Sequence, residues 1–195
     1  GTSNHGLTIA PKDNVLTGFS DANWGADLDD RRSRSGYCFL LGGSLISWRT
    51  RKQATVSLST MEAEFQALAS CLQEMIWIRG LLVEMGLPQQ QPTVIYEDNQ
   101  ACLAFAKNQV FRGRARHVEF KFYFVREIVA SQQCQLVYCP SENQLADIFT
   151  KCLPKPLHQS HCRSLGLVPS SMGECWNPVL RDSSRKPYAS CILPR

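Results

Sequence analysis

The stretch VIYEDNQA, from Val94 to Ala101, decides how this chain folds. It begins with three residues that suit a strand interior and runs directly into acidic and amide side chains. Helical patterns precede and follow it, so the chain reaches and leaves this strand through crossover connections. Such connections favour parallel neighbours, whose carboxyl ends meet at one crevice of the sheet. The sequence therefore predicts polar chemistry at the end of a buried strand.

Three more strands are predicted upstream of this stretch. The alternating segment Val15–Ser20 ends at Asp21. The segment YCFLLGGSLISWRT gives strands at Tyr37–Leu41 and Leu45–Thr50, and Gly42-Gly43 between them is a hairpin signal.

A long helix is predicted from Leu58 to about Met85, with Ser59 or Thr60 as its N-cap. The remaining predicted elements are a strand at Thr93–Tyr96, helices at Gln100–Ala106 and Val118–Ala130, a strand at Cys134–Cys139 and a helix in SENQLADIFTKCL with Ser141 as N-cap. The order β-β-β-α-β-α-α-β-α predicts an α/β domain in which helices cover a mixed sheet.

Length and composition are those of one ordinary domain. The chain has 195 residues, of which 44% are hydrophobic, so general disorder is not expected. No apolar run reaches the roughly 18 residues of a membrane span, and the first residues do not show the charged-then-apolar pattern that would suggest a secretory signal. Because the first residue is Gly1, we expect a piece of a longer chain. Residues 170–195 lack periodicity, and we expect a poorly ordered C-terminal tail there.

Nine cysteines, an odd number without any C-x-x-C pair, favour a reduced, intracellular protein. The sequence does not specify the compartment within the cell. A group of four residues resembles zinc ligands, namely Cys152, His158, His161 and Cys162. Their spacing matches no common zinc finger, so a metal site there is not favoured.

Basic residues are concentrated in one segment. The net charge is +4 and the isoelectric point about 8.6. Between Lys107 and Arg126 six basic residues face one acid, Glu119. The six are Lys107, Arg112, Arg114, Arg116, Lys121 and Arg126. Smaller clusters occur at Arg31–Arg34 and Arg49–Lys52. A charge run is commonly just a solvated face, but three runs in one small domain favour a phosphate-backbone partner.

Acidic residues fall where the predicted elements converge. Asp21 and Asp98 follow strands, Glu62 and Glu64 lie in the first turns of the long helix, and Asp147 opens the last helix. Each Asp alone reads as a turn former or helix cap. Brought together, however, the carboxylates would repel one another unless cations neutralised them. Hard cations such as Mg²⁺ suit such all-oxygen sites.

Four segments of the sequence carry a resemblance to a known family. GFSDANWGADLDDRRSRSGYCFLLGGSLISWRTRKQATVSLSTMEAEFQAL, YEDNQACLAFAKN, RARHVEFKFYFVRE and ADIFTKCLP resemble, in order, the ribonuclease H domain of a copia-type LTR retrotransposon Pol polyprotein. The resemblance runs from about Gly1 to Pro169. It divides the chain into the end of a connection from reverse transcriptase at 1–12, a ribonuclease H-like domain at 13–169, and the tail at 170–195.

The resemblance implies a ribonuclease H-like fold, a five-stranded mixed sheet with helices on both faces. It implies an endonuclease that hydrolyses the RNA strand of RNA–DNA hybrids with two Mg²⁺ ions, for which Mn²⁺ can substitute, within a polyprotein that carries reverse transcriptase. No membrane and no small-molecule cofactor are implied. The implied catalytic and metal-binding residues are Asp21, Glu64, Asp98 and Asp147.

The roles of three glutamates near the site are assigned from sequence patterns. The helical wheel does not separate Glu62 from Glu64, but EFQAL fits the family pattern and selects Glu64, which leaves Glu62 as a capping acid. Strand alternation directs Glu97 away from Asp98, and nothing assigns it a catalytic role.

Substrate contacts are expected from Gln100, which matches a Gln that contacts nucleic acid in cellular relatives, and from basic residues. These are Arg112, Arg114, Arg116, His117 and Lys121, with Arg49, Arg51 and Lys52 as further candidates. Many cellular relatives carry a His ten residues before the last Asp, where this chain has Val137, so slower turnover is expected. His117 is expected to have a structural or phosphate-contacting role.

Two alternatives to an active ribonuclease H remain open. One is an inactive nucleic-acid-binding remnant of a decayed or domesticated element. The other is an integrase-type nuclease of the same fold superfamily, which generally uses a D, D, E triad rather than this D, E, D, D set.

Overall fold

The computed structural model describes residues 4–108 and 116–169. In chain order the elements are β1 (His5–Leu7), β2 (Leu16–Asn23), β3 (Arg34–Leu41), β4 (Ser44–Lys52), α1 (Thr60–Glu84), β5 (Thr93–Glu97), α2 (Gln100–Lys107), α3 (Arg116–Ala130), β6 (Cys134–Tyr138), two short 3₁₀ helices (Ser141–Asn143 and Leu145–Phe149), α4 (Lys155–Ser164) and β7 (Leu167–Pro169). The expected tail at 170–195 lies outside the described residues, and the domain boundaries stay predictions.

The main sheet has five strands in the order β4-β3-β2-β5-β6. β2, β3 and β4 form an antiparallel meander, whereas β5 runs parallel to both β2 and β6. The predicted five-stranded mixed sheet is therefore confirmed. β5, which contains the first half of the opening stretch, is the central parallel strand, so its carboxyl end reaches the crevice beside β2.

Both faces of this sheet are covered, and β3 shows why. Tyr37 and Phe39 point into the larger core, which α1, α2 and α3 complete. Cys38 and Leu40 point to the opposite face, where Leu145 and other apolar residues of the C-terminal segment cover them. β3 is buried on both sides, so it reads as a continuous apolar run rather than an alternating one.

The start of α1 is fixed by side-chain caps. Ser59 Oγ accepts a hydrogen bond from the Glu62 N–H at 3.1 Å, and Glu62 Oε2 accepts one from the Leu58 N–H at 2.9 Å. The predicted capping role of Glu62 is therefore confirmed, although its carboxylate reaches the residue before the N-cap. The helix ends before Gly86, whose φ of +78° suits glycine.

The prediction of a last helix capped by Ser141 is wrong. That segment forms the two 3₁₀ helices, and Gln144 between them accepts a hydrogen bond from the Ala146 N–H. The Gln144 side chain is buried and also donates to the Ser20 carbonyl on β2, so the local turns follow a tertiary contact rather than helical periodicity.

Three elements were not predicted. They are α4 and the two-stranded antiparallel sheet of β1 and β7. Each of these strands has only three residues, too few for an alternating pattern to register. Their pairing brings residues 5–7 against residues 167–169, at the end of the described chain.

Gly36 lets the C-terminal segment approach the sheet. It lies opposite Asp21 in the β2–β3 ladder. A Cβ at this position would come within 2.7 Å of Thr150 Cγ2 and 3.0 Å of Phe149 Cβ, closer than real Cβ contacts permit. The absence of a side chain therefore allows the second 3₁₀ helix to sit directly over the strand that carries Asp21.

All seven cysteines in the described part of the chain are free, as expected for a reduced protein. Among the same residues, none of the helices combines the length and the apolarity needed to cross a membrane. The intracellular location stays a prediction.

Candidate active site

Three acidic residues converge at the carboxyl ends of β2 and β5. Asp21 lies on β2, Asp98 directly follows β5, and Glu64 lies in the second turn of α1. Each offers a carboxylate oxygen, and these oxygens all lie within 4.8 Å of one another. Asp21 and Glu64 are buried and Asp98 is half-buried. The structure thus brings together three of the four residues that the sequence singled out, and it separates Glu64 from the capping residue Glu62.

Asp147 reaches the same place from the second 3₁₀ helix. Thr150, at the end of that helix, donates its hydroxyl proton to Asp21 Oδ2 in a short hydrogen bond. The Thr150 side chain also lies 3.2 Å from the Asp147 carbonyl oxygen. Asp147 is therefore a neighbour of Asp21 rather than a member of the group of three.

A lysine lies between the two aspartates. The Lys151 Nζ atom is 2.9 Å from Asp147 Oδ1 and 3.7 Å from Asp21 Oδ1. These carboxylates raise the pKa of Lys151, although burial of the ammonium opposes them, and the net shift is upward. The ammonium therefore places a positive charge on this side of the site.

The carboxyl groups of the site have raised pKa values. Burial, and then the charge of Asp147, raise the pKa of Asp21 to about 7. Burial, followed by the charges of Asp21 and Asp98, raises the pKa of Glu64 to about 9. Burial also raises the pKa of Asp147, against the opposing effect of Lys151. A site without cations therefore carries repulsion that protons or metal ions would relieve.

The donor set fits a hard divalent cation. All the candidate ligand atoms are carboxylate oxygens, the type that Mg²⁺ and Mn²⁺ accept in proteins. Glu64 Oε2 is buried and has no hydrogen-bond partner within the protein. A buried, unpaired carboxylate oxygen is costly unless a ligand satisfies it, so the residues present fit a metal ion.

Glu97 is more closely involved than the sequence indicated. Its side chain is completely buried. Burial, and then the charges of Glu64 and Asp98, hold its pKa well above the usual range. The Asn99 N–H donates to Glu97 Oε1 at 3.3 Å, while Oε2 has no partner. Glu97 is therefore a buried acid beside the site, on the same face of β5 as the buried Ile95. Strand alternation, which places it on that face, was the available signal.

Ser141 orients the most exposed carboxylate of the group. Its hydroxyl donates to Asp98 Oδ2 at 2.6 Å. This bond ties the end of β5 to the first 3₁₀ helix, while Gln144 ties the next residues to β2. The role of Ser141 as a positioning group was missed because the sequence assigned it to a helix cap.

The substrate candidates have different positions. Gln100 is exposed at the first residue of α2, two residues beyond Asp98. The half-buried Lys121 donates from Nζ to Gln66 Oε1 at 2.9 Å, and burial lowers its pKa. Arg112 and Arg114, and the side chains of Arg116 and His117, lie outside the described residues, so their roles stay predictions.

The other basic candidates border a cavity between β4 and α1. The cavity has a volume of about 430 Å³, and its lining includes Arg49, Arg51, Lys52 and Lys121. The Lys52 ammonium lies 2.6 Å from Asp27 Oδ2 and 2.8 Å from Asp30 Oδ2. These ion pairs neutralise part of the positive charge expected there.

Val137 lies within β6 and pairs with Tyr96, so the position aligned with the cellular His is in a strand. The loop between β6 and the first 3₁₀ helix is only two residues long, Cys139 and Pro140. A mobile histidine-bearing loop has no room at this point of the described chain.

Comparisons with known proteins agree with this architecture. No protein-family model matches the chain. The retrovirus-related Pol polyprotein from transposon RE2 of Arabidopsis thaliana is 38% identical over 177 residues, which is 89% of this chain and 12% of that protein. The corresponding polyprotein from transposon TNT 1-94 of Nicotiana tabacum is 34% identical over 155 residues, which is 80% of this chain and 12% of that protein. The chain thus spans about an eighth of the length of these relatives.

Among solved structures, LC11-RNase H1, isolated from compost, superimposes with a TM-score of 0.53 at 15% identity. The match covers 70% of this chain and 93% of that protein. At this identity the likeness concerns the fold alone. The predicted resemblance is confirmed: the chain is a homologue of one part of the Pol polyproteins of copia-type retrotransposons, and it has the ribonuclease H-like fold.

Proposed function

We propose that this chain is an endonuclease that hydrolyses the RNA strand of RNA–DNA hybrids. In this proposal Asp21, Glu64, Asp98 and Asp147 hold two divalent cations, Mg²⁺ or Mn²⁺. The reaction serves the reverse transcription of a retrotransposon, inside the cell. The observation that carries the proposal is the convergence of three carboxylates, one with an unpaired buried oxygen, at the carboxyl end of the parallel strands.

In this proposal the four acidic residues bind cations on different sides of the site. Glu64 and Asp98 supply oxygens on one side of the site, Asp147 supplies them on the other, and Asp21 serves both sides because it is close to each. Divalent cations bound there would lower the pKa of the attacking water and stabilise the leaving oxygen of the phosphodiester. No protein nucleophile is required.

Neighbouring residues hold these acids in place. Thr150 directs the Asp21 carboxylate, and Ser141 directs that of Asp98. Both hydroxyl groups donate to carboxylate oxygens, which favours the charged form that binds a cation. The carboxylates are thereby oriented before a cation binds, as efficient catalysis requires.

The substrate lies along the exposed rim of this site. Gln100 opens the helix directly after Asp98, and the basic segment from Lys107 to Arg126 supplies phosphate contacts. A hybrid duplex is recognised by its shape, its 2′-hydroxyl groups and its phosphates, so we expect little dependence on base sequence. In the polyprotein, reverse transcriptase would be the partner that supplies the hybrid.

A cleavage assay on a labelled RNA–DNA hybrid tests the proposal. Wild-type protein should cut the RNA strand in Mg²⁺ or Mn²⁺, and it should leave duplex DNA intact. Asp98→Asn should lose nearly all of this activity while keeping its circular dichroism spectrum. Asp29→Asn, which changes an exposed loop aspartate, is the matched control and should cleave normally.

Two results would contradict the proposal. Near-full activity of Asp98→Asn would show that Asp98 is not a required metal ligand. Tight binding of the hybrid without cleavage in either metal would instead favour the alternative of an inactive nucleic-acid-binding remnant.

A further inference from the structure

Lys151 occupies a position that an ordinary surface lysine does not. Its Nζ atom lies 2.9 Å from Asp147 Oδ1 and 3.7 Å from Asp21 Oδ1, and both aspartates are almost completely buried. Lysine is four residues after Asp147, so one turn of chain carries both groups to the same side of the site. The ammonium thus bridges two carboxylates that belong to different elements of the fold.

We infer that Lys151 acts as an internal cation that fills the Asp21–Asp147 half of the metal-free site and competes with the second divalent ion. The inference rests on the proposed function, because it takes the four carboxylates as metal ligands. It adds a residue that sets how tightly, and in which order, the two ions bind.

Competition follows from the atoms that the two cations would share. An ammonium at 2.9 Å from Asp147 Oδ1 lies in the space that a metal ion bound by this oxygen would occupy. Two cations within a few ångströms also repel each other strongly where solvent screening is weak. A divalent ion can therefore enter this half only when the Lys151 ammonium moves away.

The side chain is able to move. Its relative exposure is 35%, whereas Asp21 and Asp147 are 1% and 3% exposed. A flexible four-carbon stem leads from the site toward solvent. The lysine can withdraw its ammonium into water, while the two aspartates stay fixed by the sheet and the 3₁₀ helix.

The other half of the site has no such cation. Within residues 4–108 and 119–169, no lysine or arginine forms an ion pair with Glu64 or Asp98. The first divalent ion should therefore bind at Glu64, Asp98 and Asp21, and the second should bind more weakly because it must displace Lys151.

Mn²⁺ binding to the metal-free protein tests this order. Wild-type protein should show a tight and a weak binding step by calorimetry, or by electron paramagnetic resonance of free Mn²⁺. Lys151→Gln should lower the dissociation constant of the weak step about fivefold, the effect of removing one competing ion pair of about 1 kcal/mol. The tight step should change little.

Two further variants separate competition from a structural role. Lys151→Arg keeps the positive charge and should retain a weak second step like that of wild type. Lys155→Gln removes an exposed lysine on α4 and should leave both steps unchanged. Circular dichroism and thermal melting of each variant verify that it folds.

An unchanged or weaker second step in a folded Lys151→Gln variant would overturn the inference and leave the proposed function intact. Absence of any Mn²⁺ binding by the wild-type protein would contradict both. Cleavage of the hybrid that depends on Asp98, combined with identical Mn²⁺ binding by wild type and Lys151→Gln, would refute only the role of Lys151.

Discussion

The two halves of the candidate site are built in different ways. The Glu64–Asp98 half comes from regular elements, a capped helix and the end of a central strand, and among the described residues no lysine or arginine forms an ion pair with it. The Asp147 half comes from an irregular 3₁₀ segment and carries Lys151 as its own counter-ion. The comparison indicates that one fold can leave part of a carboxylate cluster without an ion-paired lysine while it gives another part its own cation.

The largest expected effect separates the two glutamates of α1. Glu64→Gln removes a ligand charge from the uncompensated half, and we expect the rate of hybrid cleavage to fall at least about a hundredfold. Glu62→Gln removes only a capping carboxylate, so its rate should stay within about twofold of wild type, with a loss of stability of about 1 kcal/mol at most. Initial rates and urea unfolding measure both effects. Equal losses of activity in the two variants would contradict the assignment of Glu64 to the site and of Glu62 to the helix cap.

The next largest effect concerns the Asp147 half of the site. Gly36→Val places a side chain against Thr150 and Phe149, which should push the second 3₁₀ helix outward and destabilise the protein by about 1–3 kcal/mol. Because Asp147 and Lys151 move with that helix, the weak Mn²⁺ step should be lost before the tight one.

Gly80→Ala is the matched control for Gly36→Val. A Cβ at Gly80 meets nothing within 4 Å, so this change within α1 should stabilise the protein by about 0.5–1 kcal/mol. Calorimetric melting compares the two variants. A fully stable Gly36→Val protein with two normal Mn²⁺ steps would contradict the close approach at Gly36.

The smallest effect concerns the hydroxyl that orients Asp98. Ser141→Ala removes one hydrogen bond of about 1 kcal/mol to a half-exposed carboxylate, so cleavage should slow by about fivefold. Ser131→Ala, which alters a hydroxyl near the end of α3, should cleave at the wild-type rate. A loss as large as that of Glu64→Gln would mean that Ser141 does more than orient Asp98.

The sequence predicted well the regular elements, including those that carry Glu64 and Asp98. Periodicity and turn residues located α1 and the β3–β4 hairpin, since these signals act over many residues. The convergence of Asp21, Glu64 and Asp98 followed from strand polarity and a family pattern. Local signals were sufficient because each acid lies on or next to an element that is long enough to be recognised.

The irregular segment that carries Asp147 and Lys151 was predicted less well, for a physical reason. Its conformation depends on tertiary contacts, such as the bond from Gln144 to the Ser20 carbonyl and the space left by Gly36. A helical reading of SENQLADIFTKCL placed Asp147 near the site but hid the bridging position of Lys151. Burial of Glu97 was likewise missed, although alternation within β5 places it on the same face as the buried Ile95.

The most direct test of the shared metal site is the number of divalent ions bound when Asp21 loses its charge. Asp21 is the residue that both halves share, so we expect two Mn²⁺ ions for the metal-free wild-type protein and a severe weakening of both steps in Asp21→Asn. Calorimetric titration of the folded variant measures this. Two normal binding steps in Asp21→Asn would contradict the claim that these carboxylates form one shared metal site.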